Sequence, residues 1–106
     1  MNKFKFDKNT TSLFKAIASL DGTKEMEKFF RDLCTLEELK AMSERWAIAM
    51  MLNKGVSYRK ISEYLGASTT TVSRVAAWLN NGEGGYLIAL NRKNLHHNPS
   101  LIPRKS

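Results

Sequence analysis

Apolar residues recur at helical spacing along most of the chain. Leu13, Phe14, Ile17 and Leu20 fall three and four apart and share one face of a helix. Asn9, Thr10, Thr11 and Ser12 offer capping side chains at its start, and Asp21-Gly22 ends it. Ahead of it, Lys3-Phe4-Lys5-Phe6-Asp7 alternates charge and ring with a period of two, so residues 1–11 are predicted to form an extended arm. Thr23 is the candidate N-cap of a second helix, with Met26, Phe29, Phe30 and Leu33 on one stripe and Lys24, Glu25, Lys28 and Arg31 outside it.

Thr35-Leu36-Glu37-Glu38 has the spacing of a capping box and opens a third helix, predicted to run to Lys54 and stop at Gly55. Leu36, Leu39, Met42, Trp46, Ile48, Ala49, Met50 and Leu52 make it apolar around much of its circumference. Such a helix needs partners on several sides, more than a chain of 106 residues can easily supply, so an intertwined homodimer is expected. Two short helices follow, Ser57 to Leu65 and Ser68 to about Asn80. Asn81-Gly82-Glu83-Gly84-Gly85 reads as a loop, and Tyr86 to Leu90 as one more helical turn docked on the body. From Asn91 the chain loses periodicity and contains two prolines, so residues 92–106 are expected to be a flexible basic tail. With no repeats and no convincing strand, the fold class is all-α: an arm at 1–11, a helical domain at 12–91 and a tail.

Composition narrows the functional classes. No run of eighteen apolar residues occurs and the N-terminus lacks a signal-like stretch, so no membrane association and a cytoplasmic location are expected. The single Cys34 excludes an intrachain disulfide or a multi-cysteine metal site, and it reads as a buried small hydrophobe. His96-His97 has no third ligand nearby, and Gly82 to Gly85 lacks the Lys-Ser/Thr of a phosphate-binding loop. Glu25, Glu27, Glu37 and Glu38 read as helix-start charges that favour the dipole, not as a catalytic pair. No catalytic residue, metal or cofactor is assigned, and an enzyme is not expected.

The net charge is +7, which makes polyanions plausible partners because each neutralised phosphate releases counterions. Lysines and arginines cancel acids six to six over residues 23–55. The excess lies at the two ends and in residues 56–81, which carry three basic residues against one acid.

That last segment, YRKISEYLGASTTTVSRVAA from Tyr58, meets the demands of a helix-turn-helix in one window. Gly66 sits where the turn needs positive φ, and Ser62, four residues earlier, is small enough for close helix approach. Ile61, Leu65, Ala67, Val72 and Val75 fall on the inner side, and Ser68 is a good N-cap. The second helix of such a pair enters a major groove with its N-terminal residues on base edges. Candidate DNA-binding residues are therefore the hydroxyl side chains of Ser68, Thr69, Thr70, Thr71 and Ser73, with Tyr58, Arg59 and Lys60 placed to clamp the backbone.

The capped long helix, the Lys54-Gly55-Val56-Ser57 turn, Ile61-Ser62-Glu63-Tyr64-Leu65-Gly66-Ala67 and Thr71-Val72-Ser73-Arg74 together resemble the Trp repressor superfamily, most of all its YerC/YecD-like branch. The resemblance covers about residues 10–92 and is most specific from Leu65 to Arg74. It implies a multi-helix, intertwined homodimer whose two reading heads face successive major grooves of double-stranded DNA. In tryptophan-responsive members one arginine after the recognition-helix hydroxyls and another on the long helix bind the ligand. Arg74 matches the first directly, and Arg45 matches the second with one residue deleted near Gly55, so both are candidate effector-binding residues. The polar segment that follows in those members is replaced here by Val75, Ala76, Ala77 and Trp78, which disfavours tryptophan as co-repressor. The expectation is a bacterial transcriptional regulator, a repressor, on a pseudo-palindromic operator. The alternative is a helical interaction or small-molecule-sensing module without direct DNA binding.

Overall fold

A computed structural model describes residues 5–97, and among these it contains six helices and no strand. They are α1 (Lys8–Ala18), α2 (Gly22–Leu33), α3 (Leu36–Asn53), α4 (Tyr58–Leu65), α5 (Thr69–Asn81) and α6 (Gly85–His97). The chain divides into two compact units, Met1–Leu39 and Lys40–Ser106.

In the first unit, α1 begins earlier than the arm reading expects. Asp7, in extended conformation, accepts the Thr10 N–H at 2.8 Å and caps the helix, so Lys8 to Thr11 are helical rather than part of an arm. A carboxylate three residues before a free amide is a stronger, charge-assisted acceptor than the Asn amide oxygen or the Thr and Ser hydroxyls further on. Phe6 packs edge-on to Phe14 with ring centroids 5.0 Å apart. Gly22, at φ +80°, is the first residue of α2 and Asp21 stands at the N-cap, its N–H donating to the Glu25 carboxylate at 2.8 Å, so Thr23 lies inside the helix and is not the cap. Cys34 is half-buried rather than buried, and its carbonyl accepts a hydrogen bond from the Arg31 guanidinium. No residue of α1 or α2 is buried.

The capping box forms as expected. The Glu38 N–H donates to the Thr35 hydroxyl at 3.0 Å, and the Thr35 N–H donates to the Glu38 carboxylate at 2.8 Å. At the other end of α3 the Gly55 N–H reaches the Leu52 carbonyl and the Val56 N–H reaches the Met51 carbonyl, with Gly55 at φ +85°. This is a Schellman stop, and Val56 and Met51 both pack on the core beside it.

The core of the second unit is built from Ile48 and Ala49 of α3, Ile61 of α4, Ala67 in the turn, and Val72 and Val75 of α5. Ile48, Ile61, Val72 and Val75 are fully buried, each contributing about 1.5–3 kcal/mol of burial free energy. Trp46, Leu52, Leu65 and Tyr86 close its rim. Leu90 of α6 is also buried, so the expected docked turn is present. The helix does not end there: it runs through Asn91, Arg92 and Lys93 to His97, and this part of the expected tail is helical. Arg, Lys and Leu are good helix formers, and Leu90 anchors the preceding turn, so nothing stops the helix at Asn91. The rest of the tail reading, with both prolines, lies outside the described residues, as does the arm before Lys5. No helix among the described residues is long and apolar enough to cross a membrane.

Two outcomes are expected. Ile61→Ala should lower stability by about 2–5 kcal/mol, seen as a reduced urea midpoint with unchanged slope. The bonded Thr10 N–H holds the Asp7 carboxyl below the usual carboxylate range. Its contribution to α1 is therefore present at neutral pH and lost as pH falls through that lowered value. A carbon-detected NMR titration should find the Asp7 midpoint below the ordinary aspartate value; a midpoint at that value would mean the cap is not held in solution.

Candidate nucleic-acid interface

The helix pair α4–α5 is positioned from both ends by short hydrogen-bonded caps. Ser57 caps α4 by accepting the Lys60 N–H at 3.2 Å, which leaves Tyr58, Arg59 and Lys60 exposed on its first turn. At the far end Gly66 takes φ +72°, ψ +18°, and its N–H closes on the Ser62 carbonyl. An L side chain in this left-handed conformation costs roughly 1–2 kcal/mol, which accounts for glycine here.

Ser62 does more than keep the crossing narrow. Its half-buried hydroxyl donates across the turn to the Ala67 carbonyl and ties the end of α4 to the residue before the α5 cap. The small side chain is visible in the sequence; its bonding partner is not, because the two meet only once the turn is made. Ser68 then caps α5, accepting the Thr71 N–H at 3.1 Å.

The five hydroxyl residues singled out from the sequence separate into two groups. Ser68 and Thr71 are spent on the cap, their hydroxyl oxygens 3.0 Å apart, and Thr71 is half-buried. Thr69, Thr70 and Ser73 are exposed, and so are Arg74 and Ala77. Thr70, Ser73, Arg74 and Ala77 recur three and four apart and share one face of α5. The opposite face is Val72, Val75 and Ala76, all buried. The outer face of α5 is thus a row of short hydroxyls leading to a guanidinium, held by an apolar inner face.

Arg74 and Arg45 differ in setting: Arg74 is exposed on α5, whereas Arg45 is half-buried on α3. Among the described residues Arg74 makes no ion pair. No group of three or more His, Cys, Asp or Glu side chains comes together there to hold a metal.

This arrangement has close relatives. Residues 8–94 match the family model of the Trp repressor protein. The uncharacterized protein YerC of Bacillus subtilis is 44% identical over 85 residues, 80% of this chain and 82% of its own. A crystal structure of a candidate Trp repressor from Staphylococcus aureus superposes with a TM-score of 0.78 at 38% identity, covering 84% of this chain and 89% of that one. A TrpR-like protein from Eubacterium eligens gives 0.76 at 41% identity, covering 81% and 89%. The helix pair, the capped long helix before it and the match over most of the sequence have one meaning: the chain belongs to the Trp repressor family.

Proposed function

We propose that this protein is a transcriptional regulator, a repressor, that reads a pseudo-palindromic DNA operator as a homodimer through Ser57–Asn80. The observation that carries the reading is the outer face of α5, where Thr69, Thr70, Ser73 and Arg74 stand clear while Val72 and Val75 are fully buried behind them. Threonine offers a hydroxyl to a base edge and a methyl to a thymine, and an arginine binds guanine or phosphate bidentately. Tyr58, Arg59 and Lys60, on the exposed first turn of α4, would grip the phosphates. Ser68 and Thr71 act here as the cap that presents this face, so sequence preference rests on Thr69, Thr70 and Ser73. A cytoplasmic location on the nucleoid follows from this reading.

The dimer reading is supported by apolar side chains that a single chain leaves uncovered. Phe14 is 46% exposed, Leu33 48% and Leu36 62%. Within α3, Met42, Trp46 and Met50 remain only half-buried. A second copy covering these faces would give the long helix the several partners its sequence asks for.

A small-molecule effector at Arg74 and Arg45 is the alternative to a DNA contact for Arg74. Arg74 shares the outer face with the reading hydroxyls, which supports a DNA contact for it over a ligand contact. Tryptophan is disfavoured, because Val75 and Ala76 are apolar and buried beside Arg74.

The test is selection of genomic fragments by the purified protein at about 0.15 M ionic strength. A shared inverted repeat with half-sites about 34–36 Å apart is expected; recovery of random fragments only would overturn the reading. On that site Thr70→Ala should relax preference at one base pair by about 1–3 kcal/mol. Arg59→Ala should weaken all sequences alike and shallow the salt slope by about one unit. Sedimentation equilibrium should give twice the 12.0 kDa of one chain, and Leu33→Glu should shift it toward the monomer.

A further inference from the structure

Arg74 is the only charged residue of α5, and the only long side chain among Thr70, Ser73, Arg74 and Ala77 on its outer face. It is exposed, and among the described residues its guanidinium makes no ion pair and no hydrogen bond. Five N–H donors in a fixed planar fork, with no acceptor among them, are therefore left for a partner. Val75 and Ala76, the next two residues, are buried on the inner face, so packing of the core fixes the stretch of backbone that carries the arginine.

Position along the helix decides which acceptor the fork meets. Ser68 caps α5 and Thr69 begins it, so Arg74 stands one turn beyond Thr70 on the same face. Four residues at about 1.5 Å each advance it by about 6 Å along the axis, close to two base-pair steps of about 3.4 Å. A helix whose first turn meets base edges in the major groove thus carries Arg74 over base edges as well, about two pairs further on. Thr70, Ser73 and Ala77 are short enough to let the helix approach closely, and arginine is long enough to span the gap that remains. The groove rim, where the phosphates lie, falls instead to Arg59 and Lys60 on the exposed first turn of α4.

Only one base matches the fork. Guanine presents two acceptors, O6 and N7, side by side in the major groove, whereas adenine and cytosine each present a donor there and thymine one acceptor beside a methyl group. A guanidinium has donors alone, so it pairs twice with guanine and at most once with the others. We infer that Arg74 is a specificity-determining residue of the reading head, selecting a guanine in each half-site by paired hydrogen bonds to O6 and N7. The inference rests on the DNA reading proposed above, and it gives Arg74 a base rather than a phosphate or an effector.

The full-length wild type, Arg74→Ala and Arg74→Gln are each used to select duplexes from a random pool, with far-ultraviolet circular dichroism as the check on folding. The wild-type repeat should hold one fixed guanine per half-site, and Arg74→Ala should lose the preference at that position alone. Arg74→Gln should move it from guanine to adenine, because a glutamine amide pairs with adenine N6 and N7. Replacing the guanine by 7-deazaguanine, which lacks the N7 acceptor, should weaken the wild type about tenfold and leave Arg74→Ala unchanged. A shared repeat with no such guanine would overturn the inference, as would equal losses on 7-deazaguanine in wild type and Arg74→Ala. So would variants that keep every base preference while weakening all sequences alike with a shallower salt slope, since the arginine would then hold a phosphate. Random fragments from the wild type would overturn the DNA reading itself and this inference with it, a result distinct from a repeat without the guanine.

Discussion

The turn between α4 and α5 is held by one residue conformation and one hydrogen bond, and the outward presentation of the candidate reading residues depends on both. Gly66 in the left-handed region lets the chain reverse between the two helices. The Ser62 hydroxyl, bonded to the Ala67 carbonyl, fixes where the second helix starts. Once the crossing is set, Ile61, Val72 and Val75 can share one core, and the same geometry leaves Thr70, Ser73 and Arg74 outside. Core and candidate interface are thus opposite faces of a single helix. A change that loosens the inner face also moves the outer one.

Capping has a parallel role at the level of side-chain chemistry. Ser57, Ser68, Thr71, Thr35 and Glu38 all bond to free amides or to each other at helix starts. For α5 this divides neighbouring hydroxyls of similar kind between two tasks. Ser68 and Thr71 satisfy the helix end, and Thr69, Thr70 and Ser73 are left exposed beside them. A row of five hydroxyls that looks uniform in sequence therefore holds only three that the cap does not use.

On the same second unit Trp46, Trp78 and Tyr86 line an open aromatic groove, which draws on different side chains. Its rings come from three helices, α3, α5 and α6, and its wall from the glycine-rich link between the last two. Trp78 belongs to α5, so one helix carries both the candidate reading residues near its start and a wall of the groove near its end.

Much of this was legible from the sequence because its signals are local. The capping box at Thr35 and Glu38, the stop at Gly55 and the Ser57 and Ser68 caps each involve residues a few positions apart, so spacing alone specifies them. The helix-turn-helix follows from the same rule, since Gly66 and the apolar positions around it fall within one short window. What went unread was decided by competition or by distance. Asp7 displaced the later candidates as cap because a charged acceptor one turn ahead binds the free amide better. α6 ran past Asn91 because burial of Leu90 anchors a stretch that periodicity alone reads as tail. Nothing local joins Trp46 to Trp78 and Tyr86, or shows that the Ser62 hydroxyl meets Ala67. The sequence by itself determined the caps of α3, α4 and α5, the stop at Gly55 and the inward face of the helix pair, because those depend on neighbours along the chain. How far α6 runs past Leu90, and which rings share a groove, only the tertiary structure decided, because those depend on neighbours across it.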